Sequence, residues 1–189
     1  MTAPGDSNAA RKTALRKAAA QRRKAAAAAE PGAGAAIARY AHRFHADLVA
    51  AYQPIRSEIN PLLFASAIAG PGAPIALPVT TGGNITFRAW RPGEALVRGQ
   101  LGIEEPDGPE VAPDLLLVPL LAFSRAGGRL GYGAGHYDRY LAAHPGVRTV
   151  GVAFAAQEMQ ALPLERHDVP LMAIATEREL IVIEERVCD

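Results

Sequence analysis

Two neighbouring stretches of the chain decide the fold: Asp114-Leu-Leu-Leu-Val-Pro-Leu-Leu121 and Gly127-Gly-Arg-Leu-Gly-Tyr-Gly-Ala-Gly-His-Tyr-Asp-Arg-Tyr-Leu141. The first is almost entirely apolar, which is typical of a central strand in a parallel sheet that is covered on both faces. The second is rich in glycine and leads into a predicted helix over 137–143. Glycines at a strand–helix junction let the backbone approach an anion, and free N–H groups and the helix dipole then face that anion. The two stretches together predict a phosphate-binding unit.

The remaining pattern predicts one α/β domain. Apolar runs predict buried strands, an alternating stretch predicts a half-exposed strand, and helical spacing of apolar residues separates them. We expect a single three-layer α/β/α domain with a mainly parallel central sheet over 9–189 and a disordered leader over 1–8. The predicted strands lie at 48–55, 75–79, 84–90, 114–122, 149–155, 172–175 and 180–183, and the helices at 9–29, 37–48, 62–69 and 137–143. The stretch 91–113 is predicted to be a long surface loop.

Composition excludes several classes of protein. The chain has 189 residues, 49% of them apolar, and a net charge of +1, so no overall field attracts it to nucleic acid or to a membrane surface. Its single cysteine, Cys188, forms no internal disulfide, and no Cys/His spacing indicates zinc. These features predict a cytoplasmic, monomeric protein without a nucleic-acid or membrane partner.

The N-terminal segment is an exception to this even balance of charge. It is rich in alanine, which favours a helix over 9–29, and Asn8 is a candidate cap. Three interpretations are open: a solvated basic helix, a transit peptide, or a helix that closes on an anionic ligand. Its basic residues, with no acid among them, are Arg11, Lys12, Arg16, Lys17, Arg22, Arg23 and Lys24.

The glycine-rich loop also carries charge suited to a nucleotide. Arg129 and Arg139 flank it and suit phosphate oxygens, while Asp138 is a candidate ligand for Mg²⁺, which takes one or two carboxylates together with phosphates and water. The loop is neither a Walker loop nor a dinucleotide fingerprint. A flexible loop with an aspartate at a helix start is the simpler alternative for the glycines alone, and the added charges favour a nucleotide.

The segment Arg129-Leu-Gly-Tyr-Gly-Ala-Gly-His-Tyr-Asp-Arg139 resembles the signature of the 5-formyltetrahydrofolate cyclo-ligase family. Weaker similarities occur in the family's order along the chain, from Lys12 to Thr176. They are Lys12-Thr-Ala-Leu-Arg16, Ser57-Glu58, Ile103-Glu-Glu-Pro106, Pro113-Asp-Leu-Leu-Leu-Val-Pro119, Gln157 and Glu165-Arg-His-Asp168.

This resemblance implies ATP-dependent conversion of 5-formyltetrahydrofolate to 5,10-methenyltetrahydrofolate, with Mg²⁺ as cofactor. It implies metal ligation by Asp138 and Asp168 and a catalytic set of Arg129, Arg139, His136 and Tyr137. The implied folate contacts are Glu58, Gln53, Tyr132, His136 and Trp90. The implied ATP contacts are Lys12, Arg16, Arg129, Leu130, Gly131, Tyr132, Gly133, Ala134, Gly135, His136 and Tyr137.

Two positions depart from the family pattern. His136 stands where many members have a tyrosine, and Val79 stands where an arginine is expected after Pro78. Without the resemblance, Glu58 would be interpreted as a solvated loop residue, Trp90 as a core residue and Asp168 as a surface residue.

Two functional alternatives remain open from the sequence. One is a different ATP-dependent kinase or ligase that acts on a small molecule, and the other is a non-catalytic protein that binds reduced folate. A kinase would leave a stable phosphorylated product, and a folate-binding protein would need neither phosphate nor metal ligands such as Arg139 and Asp138.

Overall fold

The structure is a computed structural model that describes residues 4–165 and 168–188. Its helices are α1 (Pro4–Ala29), α2 (Ala33–Ala38), α3 (Leu62–Ala69) and α4 (His136–Ala143), and 3-10 turns lie at Ala41–Arg43, Ala155–Gln157 and Glu185–Val187. The strands are β1 (Val49–Ala50), β2 (Ile75–Thr81), β3 (Asn84–Trp90), β4 (Leu96–Arg98), β5 (Glu104–Pro106), β6 (Glu110–Val111), β7 (Leu115–Pro119), β8 (Ala122–Phe123), β9 (Arg129–Leu130), β10 (Arg148–Val152), β11 (Ala173–Ala175) and β12 (Leu180–Val182).

Within the described residues, the main sheet has the strand order β12-β11-β10-β7-β1-β2-β3-β6. The strands from β11 to β2 in that order are parallel, and β12, β3 and β6 are antiparallel to their neighbours. The predicted α/β class with a mainly parallel sheet is therefore confirmed.

The apolar run in β7 lies at the centre of the sheet because both of its faces are covered. Leu115 and Leu117 face one core, which α2 and α3 complete, while Leu116 and Val118 face a second core, where α4 packs. All four side chains are almost completely buried. The predicted three layers follow from this alternation, since a strand with two buried faces needs apolar residues at every position.

Several boundaries differ from the prediction. Helix α1 begins at Pro4, so Asn8 lies inside the helix and does not cap it. The strand expected over 48–55 is only Val49–Ala50, because the chain leaves the sheet there to form the loop that carries Glu58. The stretch 91–113 contains short strands, of which β6 extends the main sheet.

The sequence predicts that the glycine-rich loop follows the central strand directly, and the structure differs. After β7 the chain forms a small antiparallel hairpin of β8 and β9, and the loop follows β9. Leu130 packs against Leu121 and Ala122 and against Ala19 of α1. The hairpin therefore brings the loop against the N-terminal helix at the carboxyl edge of the parallel strands, where ligands bind in open α/β sheets.

Candidate active site

The loop over 131–135 has a backbone that two glycines make possible. Gly135 lies in the left-handed region (φ 68°) at the N-cap of α4, and Gly133 has a φ of 102°. A Cβ atom on Gly133 would lie 3.1 Å from Cζ of Arg16. The loop therefore requires glycine at both positions, for conformation and for the close approach of an arginine from α1.

A cavity of about 270 Å³ opens between this loop, helix α1, the chain over 162–165 and Asp168. Its walls combine backbone groups of the loop, cationic side chains and carboxylates. The lining residues are Lys12, Arg16, Pro119, Arg129, Leu130, Gly131, Tyr132, Gly133, Ala134, Gly135, His136, Tyr137, Asp138, Leu162, Pro163, Leu164, Glu165 and Asp168. All the residues that the resemblance implies as ATP contacts lie on this wall.

The cations of the cavity differ in how firmly they are held. Arg129 is buried, and it donates to the carboxylate of Asp138 and to the carbonyl of Val169. Burial lowers the pKa of its guanidinium, and the charges of Asp138 and Asp168 oppose that shift. Arg16 donates from Nε to the Gly131 carbonyl at 3.2 Å, and Lys12 forms an ion pair with Glu165.

The two aspartates expected to bind metal both line the cavity. Oδ1 of Asp138 accepts from Arg129 and, at 3.4 Å, from the backbone N–H of Val169. Oδ2 of Asp168 accepts from the N–H of Glu165 at 2.6 Å. Among the described residues, no cluster of at least three acidic, histidine or cysteine side chains could hold a metal ion. Arg166 and His167, next to Asp168, lie outside the described part of the chain.

Beside the cavity lies a second, buried site centred on Glu58, whose side chain is 3% exposed. Its Oε2 accepts from the N–H of Ile55 at 2.9 Å, and its Oε1 accepts from the Tyr132 hydroxyl at 2.8 Å and from Nη1 of Arg23 at 3.4 Å. Burial raises the pKa of Glu58, and the Ile55, Tyr132 and Arg23 donors oppose the shift. Tyr132 therefore belongs to both sites, because its ring lines the cavity and its hydroxyl binds Glu58.

Two guanidinium groups lie near the ring of Tyr132. The Cζ atoms of Arg23 and Arg56 lie 5.4 Å and 5.5 Å from its centroid. Arg56 has a positive φ of 57°, which is uncommon for a residue with a side chain and often marks a functional site.

Arg139 and His136 both contact the turn before β3, and of the two only His136 lines the cavity, so the catalytic role expected for them stays a prediction. Arg139 does not line the cavity; it donates to the carbonyls of Ala134, at 2.9 Å, and of Gly83. Nδ1 of His136 lies 2.7 Å from the same Gly83 carbonyl, in the turn between β2 and β3. Both side chains therefore connect the loop to the turn at Gly83 through backbone oxygens.

Tyr137 lines the cavity, and its hydroxyl is buried and has no hydrogen-bond partner among the described residues. Burial raises the pKa of this hydroxyl, and the charge of Glu58 adds to the shift. The group is therefore protonated at neutral pH and can donate to a ligand. An unpartnered buried donor is rare in folded proteins, so this hydroxyl is a candidate contact for a ligand.

Two expected folate contacts do not join this group. Trp90 ends β3 opposite Ile75, the first residue of β2, and so lies at the amino edge of the parallel strands. Its ring is buried in the core and its Nε1 donates to the Glu94 carbonyl at 3.0 Å. The prediction of Trp90 as a substrate contact is thus corrected to a core residue. Gln53 is half-buried just beyond β1 and is not on the cavity wall.

Sequence reasoning listed Arg23 only among the basic residues of the N-terminal segment and did not identify Arg56. Arg23 had a detectable signal, since Lys12, Arg16, Ala19, Arg23 and Ala26 recur at the three- and four-residue spacing of one helix face. Ala19 and Ala26 of this series are buried, as Arg23 is. Arg56 carried no such signal, because its position depends on the path of the loop.

The fold and these two adjoining sites define an α/β protein with a cation-lined cavity at a glycine-rich loop. Comparisons with known proteins agree. Residues 8–177 match the 5-formyltetrahydrofolate cyclo-ligase family. The chain belongs to that family.

Individual relatives have the same family name. The 5-formyltetrahydrofolate cyclo-ligase of Escherichia coli is 40% identical over 116 residues, which cover 56% of this chain and 64% of that protein. The cyclo-ligase of Mycolicibacterium smegmatis is 33% identical over 149 residues, covering 71% and 75%. The 5,10-methenyltetrahydrofolate synthetase of Aquifex aeolicus has a solved structure that superposes with a TM-score of 0.71 at 27% identity, covering 91% and 92%. The chain thus matches slightly less than two thirds of the Escherichia coli protein's length.

Proposed function

We propose that the protein converts 5-formyltetrahydrofolate and ATP to 5,10-methenyltetrahydrofolate, ADP and phosphate. The observation that carries this proposal is the pair of adjoining sites in a chain of the cyclo-ligase family. One site is an open cavity of backbone donors and cations, and the other is a buried carboxylate, with Tyr132 shared between them.

The chemistry explains why two such sites must adjoin. The formyl group on N5 is amide-like, and its oxygen is a poor leaving group. Attack of this oxygen on the γ-phosphorus of ATP releases ADP and converts the oxygen into phosphate, which can leave. N10 then attacks the activated carbon, the C–O bond breaks, phosphate departs, and a proton is lost from N10. Alignment and charge neutralisation are the main demands of phosphoryl transfer.

The cavity supplies groups for the triphosphate. The loop and the start of α4 line the cavity, backbone N–H groups at a helix N-terminus favour an anion, and Lys12, Arg16 and Arg129 add positive charge. Tyr137 adds a neutral hydrogen-bond donor. Arg139 and His136 act on this site through the loop, which they hold against the turn at Gly83.

The buried site supplies groups for the folate. A carboxylate has about four lone-pair positions, and three protein donors occupy Glu58, which leaves Oε2 able to accept one more N–H. A pterin ring offers such donors, and a charged acceptor strengthens the hydrogen bond.

Mg²⁺ is part of the proposal. Asp138 and Asp168 fit it, because they are carboxylates on the wall of the cavity that the triphosphate would occupy, and Mg²⁺ takes few protein ligands when phosphates and waters complete its shell. When bound, the ion would neutralise phosphate charge. A cytoplasmic location and a monomeric state stay predictions, and no described helix is long and apolar enough to cross a membrane.

One assay tests the proposed function. Protein, 5-formyltetrahydrofolate, ATP and Mg²⁺ are mixed, and the absorbance of methenyltetrahydrofolate is followed while ADP and phosphate are quantified. We expect equal amounts of the three products. A stable phosphorylated product without the methenyl chromophore would instead indicate a kinase, and folate binding without turnover would indicate a binding protein.

A further inference from the structure

Arg23 is a charged residue in the centre of the molecule to which the reaction chemistry assigns no role. Its side chain is 2% exposed although it belongs to the N-terminal helix, whose other arginines are at least partly exposed. Burial of an arginine costs free energy unless its N–H donors are paired, so the contacts of Arg23 show what compensates for its burial.

The guanidinium of Arg23 contacts three separate segments of the chain around the buried site. Nε donates to Oγ of Ser57 at 3.2 Å, and Nη1 donates to the Leu120 carbonyl at 3.3 Å and to Oε1 of Glu58 at 3.4 Å. Nη2 donates to the hydroxyl of Tyr132 at 2.6 Å. The same hydroxyl donates to Glu58 at 2.8 Å, which closes a ring of three side chains.

Helix α1 presents its charges to the two sites along a single face. Lys12 and Arg16 line the nucleotide cavity, and Arg23, seven residues after Arg16, reaches Glu58. Ala19, between them, packs on Leu121, Ala122 and Leu130 of the β8–β9 hairpin. One docking of the helix therefore sets the positions of groups in both sites.

We propose that Arg23 is a positioning residue for the folate site: it holds the carboxylate of Glu58 and the hydroxyl of Tyr132 in the arrangement that receives the pterin ring. The docking of α1 that completes the nucleotide cavity thereby also assembles the folate pocket. The inference rests on the proposed function for the identity of the ligand, whereas the link between Arg23 and Glu58 rests on the contacts alone.

Arg23 also favours the ionised form of Glu58. The groups that face this carboxylate are Arg23, the Tyr132 hydroxyl, the N–H of Ile55 and, by charge interaction, the buried hydroxyls of Tyr52 and Tyr137. Burial already raises the pKa of Glu58, and Arg23 opposes that shift. Removal of Arg23 must therefore raise the pKa of Glu58 further and move any activity that needs the carboxylate to higher pH.

The test compares Arg23→Met and Arg23→Lys with Arg22→Met, a matched control on the exposed side of the same helix turn. For Arg23→Met we expect the KM for 5-formyltetrahydrofolate to rise at least about tenfold, as for a lost bond to a charged group, with little change in the KM for ATP. The acid limb of kcat/KM should move to higher pH. Arg23→Lys should return that limb towards its original pH, and Arg22→Met should match the unsubstituted protein.

A double variant covers the case in which Arg23→Met does not fold, because Arg23→Met/Glu58→Gln buries no unpaired charge. We expect its folate affinity, measured by calorimetry, to equal that of Glu58→Gln alone. The proposal would be overturned if the double variant lost more than about a further tenfold in folate affinity. It would also be overturned if Arg23→Met raised both KM values equally or left the acid limb of kcat/KM at its original pH.

A measurement without substrate separates this inference from the proposed function. The carboxyl resonance that disappears in Glu58→Gln is titrated by NMR in the unsubstituted protein and in the Arg23 variants. We expect it to titrate at higher pH in Arg23→Met, and an unchanged midpoint would refute the link. Failure to form methenyltetrahydrofolate, with the Glu58 midpoint still displaced, would instead refute the identity of the ligand.

Discussion

The two adjoining sites use opposite means to bind a ligand. The cavity proposed for the nucleotide is open and is lined by the glycine-rich loop, with cations that come from α1 and β9. The Glu58 site is buried, and its side chains already bond to one another. A triphosphate is flexible and highly charged, so N–H groups and positive charge suffice to bind it. A flat heterocycle with a few donors needs an acceptor fixed in one orientation. The cavity should therefore depend on loop conformation, and the buried site on individual side chains.

Gly133→Val should have the largest effect. Its φ of 102° is unfavourable for a β-branched residue, and a Cβ atom there would lie 3.1 Å from Cζ of Arg16, which would have to shift. We expect ATP affinity to fall by a factor of about a hundred or more, since several charge-assisted bonds of roughly 1.5–3 kcal/mol each depend on the loop. Calorimetry with each ligand separately checks this. Folate affinity should hardly change, and Gly146→Val, at an open turn position, is the control. Equal loss of both ligands would contradict the division between the sites.

Glu58→Gln should have the converse effect. It retains the size of the side chain and removes the negative charge, so folate binding should weaken by about 1.5–3 kcal/mol. ATP affinity, measured by calorimetry in the absence of folate, is the internal control. A variant that lost ATP affinity and kept folate affinity would show that the two ligands are assigned to the wrong sites.

Asp138→Asn distinguishes the two possible partners of this carboxylate. If Asp138 binds the metal, the Mg²⁺ concentration for half-maximal turnover should rise on the order of tenfold, because an amide is a weaker ligand for a hard cation. Asp168→Asn should show the same Mg²⁺ effect. Only Asp138→Asn should also lower the thermal unfolding midpoint, since it breaks the ion pair with Arg129. Wild-type Mg²⁺ dependence in Asp138→Asn would show that Asp138 binds Arg129 and not the metal.

Lys12→Ala should have the smallest effect of the four. Lys12 is partly exposed and already pairs with Glu165, so its loss should raise the KM for ATP by a factor equivalent to about 1 kcal/mol or less. Lys17→Ala, which removes an exposed charge on the same helix, is the matched control. Removal of residues 1–29 tests the transit-peptide alternative. If the shortened protein were fully active, α1 would contribute to neither site.

The sequence alone determined the features that depend on local pattern. The apolar run of β7, the alternation in β3 and the bounds of α3 follow from periodicity, which the backbone imposes within a few residues. The glycines, Arg129 and Asp138 were identified for a similar reason, because a strand–helix junction brings them together without help from the rest of the chain. Lys12 and Arg16 came from the resemblance, and the structure places them on the same cavity.

Only the tertiary structure decided which distant residues meet. Arg139 and His136 face the turn at Gly83, more than fifty residues away, and so brace the loop. Trp90 lies at the wrong edge of the sheet because β3 runs antiparallel to β2. Arg23 meets Glu58 and Tyr132 across 35 and 109 residues of chain. Contacts of this kind depend on the docking of whole elements, and that docking is set by burial summed over many side chains, which no local pattern records.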